Sequence, residues 1–212
     1  QFASLAGTFK QCDELGSLKL FSEGRRDGLS GLVLDGNTQV MNAFPRVKHL
    51  DEKSVANAFT DDTVKSSKIF QHHEGTLVRV YFASGSWQIS TQRKIDAYKS
   101  KWSERLSFGE AFAQAVALEC SRSQKIRERL GVDDGVQPTM DDFCKSLDPN
   151  LKYLFIVRHW GTNRIVCDAP DEMTAYHVGT FTADSSRVDV GVDIGFAKPS
   201  THSVETVREL QD

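Results

Sequence analysis

The stretch His72-His73-Glu74-Gly75-Thr76-Leu77-Val78-Arg79-Val80-Tyr81-Phe82 changes character at Gly75. Up to the glycine it is polar, with two imidazoles and a carboxylate. From Thr76 to Phe82 it is β-branched and aromatic, the composition of a strand. Gly85 marks a turn, and Trp87-Gln88-Ile89-Ser90-Thr91 alternates apolar with polar. The run therefore predicts a β-hairpin.

Upstream, Leu29-Ser30-Gly31-Leu32-Val33-Leu34 reads as a strand, Asp35-Gly36-Asn37 as a turn and residues 39–44 as the returning strand. Asp-Gly between apolar runs is a strong hairpin signal. Residues 1–29 are set apart as an N-terminal extension.

Downstream the period lengthens. Phe108, Phe112 and Val116 recur at helical spacing, and Ser107 with Glu110 forms a capping-box pattern. This predicts a helix over 107–130 with a break near Ser121, ended by Gly131. Thr139 opens a short helix from Met140 to Leu147. Residues 152–157 read as a buried strand, Gly161-Thr162-Asn163 as a turn, and Arg164-Ile165-Val166-Cys167 as its partner. A strand follows over Tyr176 to Thr182, and Ser203 to Leu210 begins a helix. Hairpins interrupted by helices give the α+β class.

The 212 residues are 39% hydrophobic and 26% charged, ordinary for a globular chain. The net charge of −3 argues against a wholly basic nucleic-acid binder, so any such contact comes from a local patch. The four cysteines, Cys12, Cys120, Cys144 and Cys167, are scattered without a CxxC pair. They are expected to be reduced thiols in an intracellular protein, with no metal site among them. No apolar run reaches the ~20 residues of a membrane span. The chain begins at Gln1 without a secretory pattern, and it is read as a piece of a longer protein.

Three segments, taken in order, resemble the RNA-ligase-type covalent nucleotidyltransferases. Gly31-Leu-Val-Leu-Asp35 with Phe44-Pro45-Arg46-Val47-Lys48 is similar to their opening hairpin, with Ser30 in place of an arginine. His72-His73-Glu74-Gly75, followed by Trp87 and Thr91-Gln92-Arg93, is similar to their Lys-x-Asp-Gly motif. The lysine position falls on His72. Tyr153-Leu-Phe-Ile-Val157 with Asn163-Arg164-Ile165-Val166 resembles their third motif, with Val157 at the glutamate position. Sequences with Glu-Gly-Thr at the second motif look like those of large DNA viruses. The resemblance covers roughly residues 30–200, and the family's later motifs would fall at or beyond Asp212.

The resemblance implies a nucleotidyltransferase (RNA ligase adenylation-domain) fold over 30–212, truncated before its last motifs. In the family a neutral lysine amine attacks an α-phosphate while a metal balances charge. An imidazole of ordinary histidine pKa is largely neutral at pH 7, and its nitrogen also forms phosphoramidates. His72 is therefore the candidate catalytic residue, although its side chain is shorter. Glu74, Gly75, Arg79, Arg93 and Arg164 are the candidate nucleotide contacts, and Lys94, Lys99 and Lys101 the candidate nucleic-acid contacts. Tyr98 and Trp102 are interleaved with these cations, as in stacking platforms for unpaired bases; a solvated helix face is the plainer alternative.

Loss of the lysine and of the glutamate points to a degenerate relative that binds RNA or a nucleotide. Two alternatives stay open. One is an active RNA ligase or capping-type enzyme using ATP or GTP with Mg2+. The other is a structural or interaction component of a viral assembly. The expected setting is the viral or host cytoplasm, or the virion.

Overall fold

The computed structural model describes residues 9–23, 29–45, 49–101, 106–159, 171–182 and 187–211. In chain order the strands and helices begin with β1 (Phe9–Leu15), β2 (Leu18–Glu23), β3 (Leu29–Asp35), β4 (Thr38–Met41) and β5 (Phe44–Pro45). Then come α1 (Glu52–Ala58), α2 (Asp61–Ser66), β6 (Ile69–Phe70), β7 (Thr76–Ala83) and β8 (Ser86–Thr91). A 3-10 turn over Ala97–Lys99 precedes α3 (Phe108–Arg122), α4 (Gln124–Leu130) and α5 (Met140–Lys145). The chain continues through β9 (Lys152–Arg158), β10 (Thr174–Phe181), β11 (Val188–Asp189), β12 (Thr201–His202) and α6 (Val207–Gln211).

The chain divides into two units, residues 1–46 with 74–198, and residues 47–73 with 199–212. The large unit holds two antiparallel sheets. One runs β1-β2-β3-β4, with β5 also paired to β3; the other runs β11-β10-β9-β7-β8. The expected α+β class with antiparallel sheets and helices is what the chain adopts.

Alternation along β7 builds the layers. Val78 and Val80 turn to one face, where they pack with Tyr153, Phe155 and Val157 of β9 against Phe112 and Val116 of α3 and Phe143 of α5. Tyr81 and Ala83 turn to the other face and meet Leu18, Leu20, Val33 and Met41 of the first sheet. Successive strand residues point to opposite faces, so one strand serves two cores. The order is sheet, sheet, helices.

Local chemistry sets the connections. Ala83 pairs with Ser86 around Ser84 and Gly85, both at positive φ (50° and 76°). Such a turn matches the twist of the strands it joins. Ser84 Oγ donates to Asp35 Oδ2 at 2.7 Å, tying this hairpin tip to that of β3 and β4. Glu110 accepts from Ser107 N and Oγ at 2.7 Å each, the anticipated capping box of α3. The helical break falls at Ser123, which caps α4. Gly131 ends α4 in the left-handed conformation, φ 65°.

Two expectations need correction. The described part of the stretch set apart as an N-terminal extension is not separate: β1 and β2 pair with each other and β2 pairs with β3 in one sheet. The strand expected over 39–44 stops at Met41 and resumes at Phe44. There Asn42 turns inward and accepts a hydrogen bond from Lys152 Nζ at 2.9 Å.

The small unit is built from α1, α2, α6 and the β6–β12 pair. Asp51 caps α1, and Thr60 with Thr63 forms a capping box on α2. Val207 N donates to Asp61 Oδ1 at 2.8 Å. Gln211 Nε2 donates to the Glu52 carbonyl at 2.7 Å.

Candidate nucleotide-binding site

Thr76 lies opposite Val157, and Leu77 opposite Ile156, across the β7–β9 ladder. A Cβ on Gly75 would stand 2.5 Å from Ile156 Cγ2 and 2.7 Å from the Val157 carbonyl oxygen. Real side chains do not reach such distances, so glycine is what lets the chain enter β7 beside β9. The segments around Glu74-Gly75 and around Val157 are neighbours in space. Val157 is 1% exposed and belongs to the core against the helices. An isopropyl group there has nothing to offer a metal or a ribose hydroxyl.

Glu74 opens the second segment of the large unit and is half-buried. His72 and His73 belong to the small unit, where His72 is exposed and His73 half-buried. Just before them, Gln71 N donates to the Ser200 carbonyl at 2.8 Å. His72 is thereby carried on solvent-facing backbone next to a short strand pair.

Arg79 departs most from expectation. It points between the two sheets and is 0% exposed. Its Nη1 donates to the Gly31 carbonyl and its Nη2 to the Thr91 carbonyl, the latter at 2.5 Å. Burial pulls its guanidinium down to about 10, which leaves it charged at neutral pH. A guanidinium spent on two backbone carbonyls inside a core is a clamp between β3 and β8, not a phosphate contact. Gly31 is what admits it: its φ is +84°, and a Cβ there would meet the guanidinium. The clamp joins the first motif segment to the second.

Arg93 and Lys94 sit where β8 ends. Thr91 Oγ1 accepts from Arg93 N at 3.3 Å and from Lys94 N at 3.1 Å, which holds the bend. Arg93 and Lys101 are exposed. Lys94 Nζ pairs with Asp13 at 3.1 Å and Lys99 Nζ with Asp96 at 3.4 Å, both at the surface. Tyr98 is 43% exposed, and its ring lies against Gly109, where a Cβ would stand 2.6 Å from Cγ. The four cations and this ring share one segment. Arg164 and Trp102 lie outside the described residues.

Several buried groups had no distinguishing signal in sequence. Lys152 is half-buried, and burial lowers its ammonium pKa. His159 is buried, its Nε2 3.2 Å from Gln114 Oε1, and burial lowers its pKa. His177, 1% exposed among Tyr153 and Phe155, is lowered to about 4 by burial, with Lys198 adding to the effect. A groove of about 520 Å3 opens on the helical layer, lined by residues of α3 and the segment 135–138 and by none of the motif residues. Among the described residues no group of three or more His, Cys, Asp or Glu could hold a metal ion. Among them, no helix is long and apolar enough to cross a membrane.

No family model matches the chain. It is similar to the immediate-early protein ICP-46 homologue of Invertebrate iridescent virus 6, 27% identical over 147 residues, covering 65% of this chain and 29% of that protein. It is also similar to immediate-early protein ICP-46 of Frog virus 3 (isolate Goorha), 27% identical over 146 residues, covering 68% of this chain and 34% of that protein. The chain thus spans about a third of the length of these curated relatives. Among solved structures, an archaeal ATP-dependent RNA ligase aligns with a TM-score of 0.48 at 12% identity, over 98% of this chain and 50% of that one. Both of these curated relatives are viral proteins.

Proposed function

We propose that this domain is a degenerate relative of the RNA-ligase-type nucleotidyltransferases, one that binds RNA or a nucleotide without transferring it. The observation that carries this is the β7–β9 ladder, in which Thr76, following Glu74-Gly75, faces buried Val157. Segments that resemble two motifs of one site are adjacent strands, yet the carboxylate expected on the second is an apolar core residue. The amine expected on the first is an exposed imidazole.

The binding surface in this reading is the segment after β8. Surface ion pairs are worth about 0–1 kcal/mol, so Lys94 and Lys99 exchange Asp13 and Asp96 for phosphate at little cost. Arg93 and Lys101 add two further exposed cations, and Tyr98 a stacking face. The relatives' description as immediate-early proteins supports a role early in infection, inside the infected cell. One observation favours the active alternative: exposure keeps the His72 imidazole accessible to a nucleotide.

The test is a mobility shift with single-stranded RNA over a salt series. Binding is expected to weaken steeply with salt, with a shallower slope in Arg93→Ala. RNA that fails to bind at low salt, together with no nucleotide binding by calorimetry, overturns the reading.

A further inference from the structure

Helix α3 buries Phe112, Ala115 and Val116 in the core. A second stripe, Gln114, Ala117, Leu118 and Ser121, has the same i, i+3, i+4, i+7 spacing and lines the groove of about 520 Å3. Val136, Pro138 and Met173 line it too. Val136 is 57% exposed, the most exposed large apolar side chain among the described residues. An apolar trough that no described residue covers costs free energy in water unless something else covers it.

The charges beside the groove are lopsided. Its own arginine, Arg127, is paired with Asp134 at 2.9 Å, and Arg122 with Glu172 at 3.0 Å. Asp133 and Asp171, each next in sequence to one of those acids, are exposed and without a cation partner among the described residues. Glu119 on α3 is raised above the usual carboxylate range by burial, with Arg122 opposing the rise and Glu172 adding to it, so the acidity of the rim rests on Asp133 and Asp171. The surroundings are therefore acidic once the existing ion pairs are counted. Such a rim repels a phosphate backbone, and it disfavours a second copy of a chain whose net charge is −3.

We propose that this groove docks a segment of a partner protein that presents apolar anchors flanked by lysine and arginine. An amphipathic helix laid in a groove is the recognition mode that fits a trough walled by a helix. The acidic rim selects the basic flanks and speeds their encounter. The site is separate in sequence from the cations that follow β8, so the two surfaces are testable independently.

The probe is a fluorescein-labelled amphipathic peptide with Leu and Phe at i, i+3, i+4 and i+7 and Lys and Arg elsewhere. A matched peptide carries Glu at every basic position. Fluorescence anisotropy with the whole chain is expected to give saturable binding of the basic peptide at about micromolar affinity and none of the acidic one. Leu118→Lys is expected to weaken binding about tenfold or more. Asp133→Asn with Asp171→Asn is expected to weaken it and flatten its salt dependence. Arg93→Ala is expected to leave it unchanged. Should Leu118→Lys melt below the parent, Ser121→Arg, on an exposed position, fills the groove instead.

Equal binding of both peptides overturns the proposal, as does binding indifferent to Leu118→Lys and Ser121→Arg. A dimer seen by sedimentation and dissolved by Leu118→Lys overturns it in favour of a second copy.

Discussion

Acid should unfold this domain through His177. The imidazole is 1% exposed, packed near the rings of Tyr153 and Phe155, with Nε2 2.9 Å from Thr180 Oγ1. Burial holds its pKa at about 4, against 6.5 for a free histidine. The folded state thus resists a proton that the unfolded chain accepts. With the folded value depressed, stability is fully present above the unfolded pKa and is lost as pH falls towards the folded one. Linkage gives a loss of about 2 kcal/mol at about pH 5 and about 3 kcal/mol at about pH 4, relative to neutral. Urea denaturation at neutral pH, pH 5 and pH 4 reads this directly. His177→Gln keeps a polar group near Thr180 and removes the titration. The variant starts less stable at neutral pH and should lose about 3 kcal/mol less than the parent on the way down. Parallel pH profiles for the two proteins would refute the reasoning.

Other consequences are equally direct. Gly75→Ala drives a methyl into Ile156 and the Val157 carbonyl, and should cost about 1–3 kcal/mol in urea denaturation. Arg79→Ala leaves a cavity and orphans the Gly31 and Thr91 carbonyls. It should cost about 2–4 kcal/mol while leaving RNA affinity of the folded protein unchanged, checked by a mobility shift in the cold. The Cys144 thiol is buried and pushed up to about 12 by that burial. Mass spectrometry after iodoacetamide should find exposed Cys12 modified in the native state and Cys144 only after unfolding.

What could be read from sequence was what neighbouring residues decide. The turn that closes the β7–β8 hairpin, the capping box of α3 and the cap at Thr139 rest on contacts three residues apart or fewer, and each is present. β1 left no such mark, because Lys10-Gln11-Cys12-Asp13-Glu14 is polar on both faces of an exposed edge strand. α1 has no buried residue, so only its cap at Asp51 could have announced it. Arg79 shows the limit most sharply. A cation in an apolar run is legible as unusual, but its role depends on a second sheet lying over β7 and on Gly31 yielding space. His177 is the same lesson for a titrating group: its depressed pKa comes from rings on another strand. The nearness of Glu74-Gly75 to Val157 had no signal in sequence either, since it is the β7–β9 ladder that sets Thr76 opposite Val157.

Covalent labelling bears most directly on whether the domain binds or catalyses. The full-length protein would be incubated with Mg2+ and ATP or GTP labelled in the α-phosphate, then run on a denaturing gel. A binding descendant should leave no label on the protein with either nucleotide. A band that survives denaturation and vanishes in His72→Ala would contradict the account and make the imidazole a nucleophile.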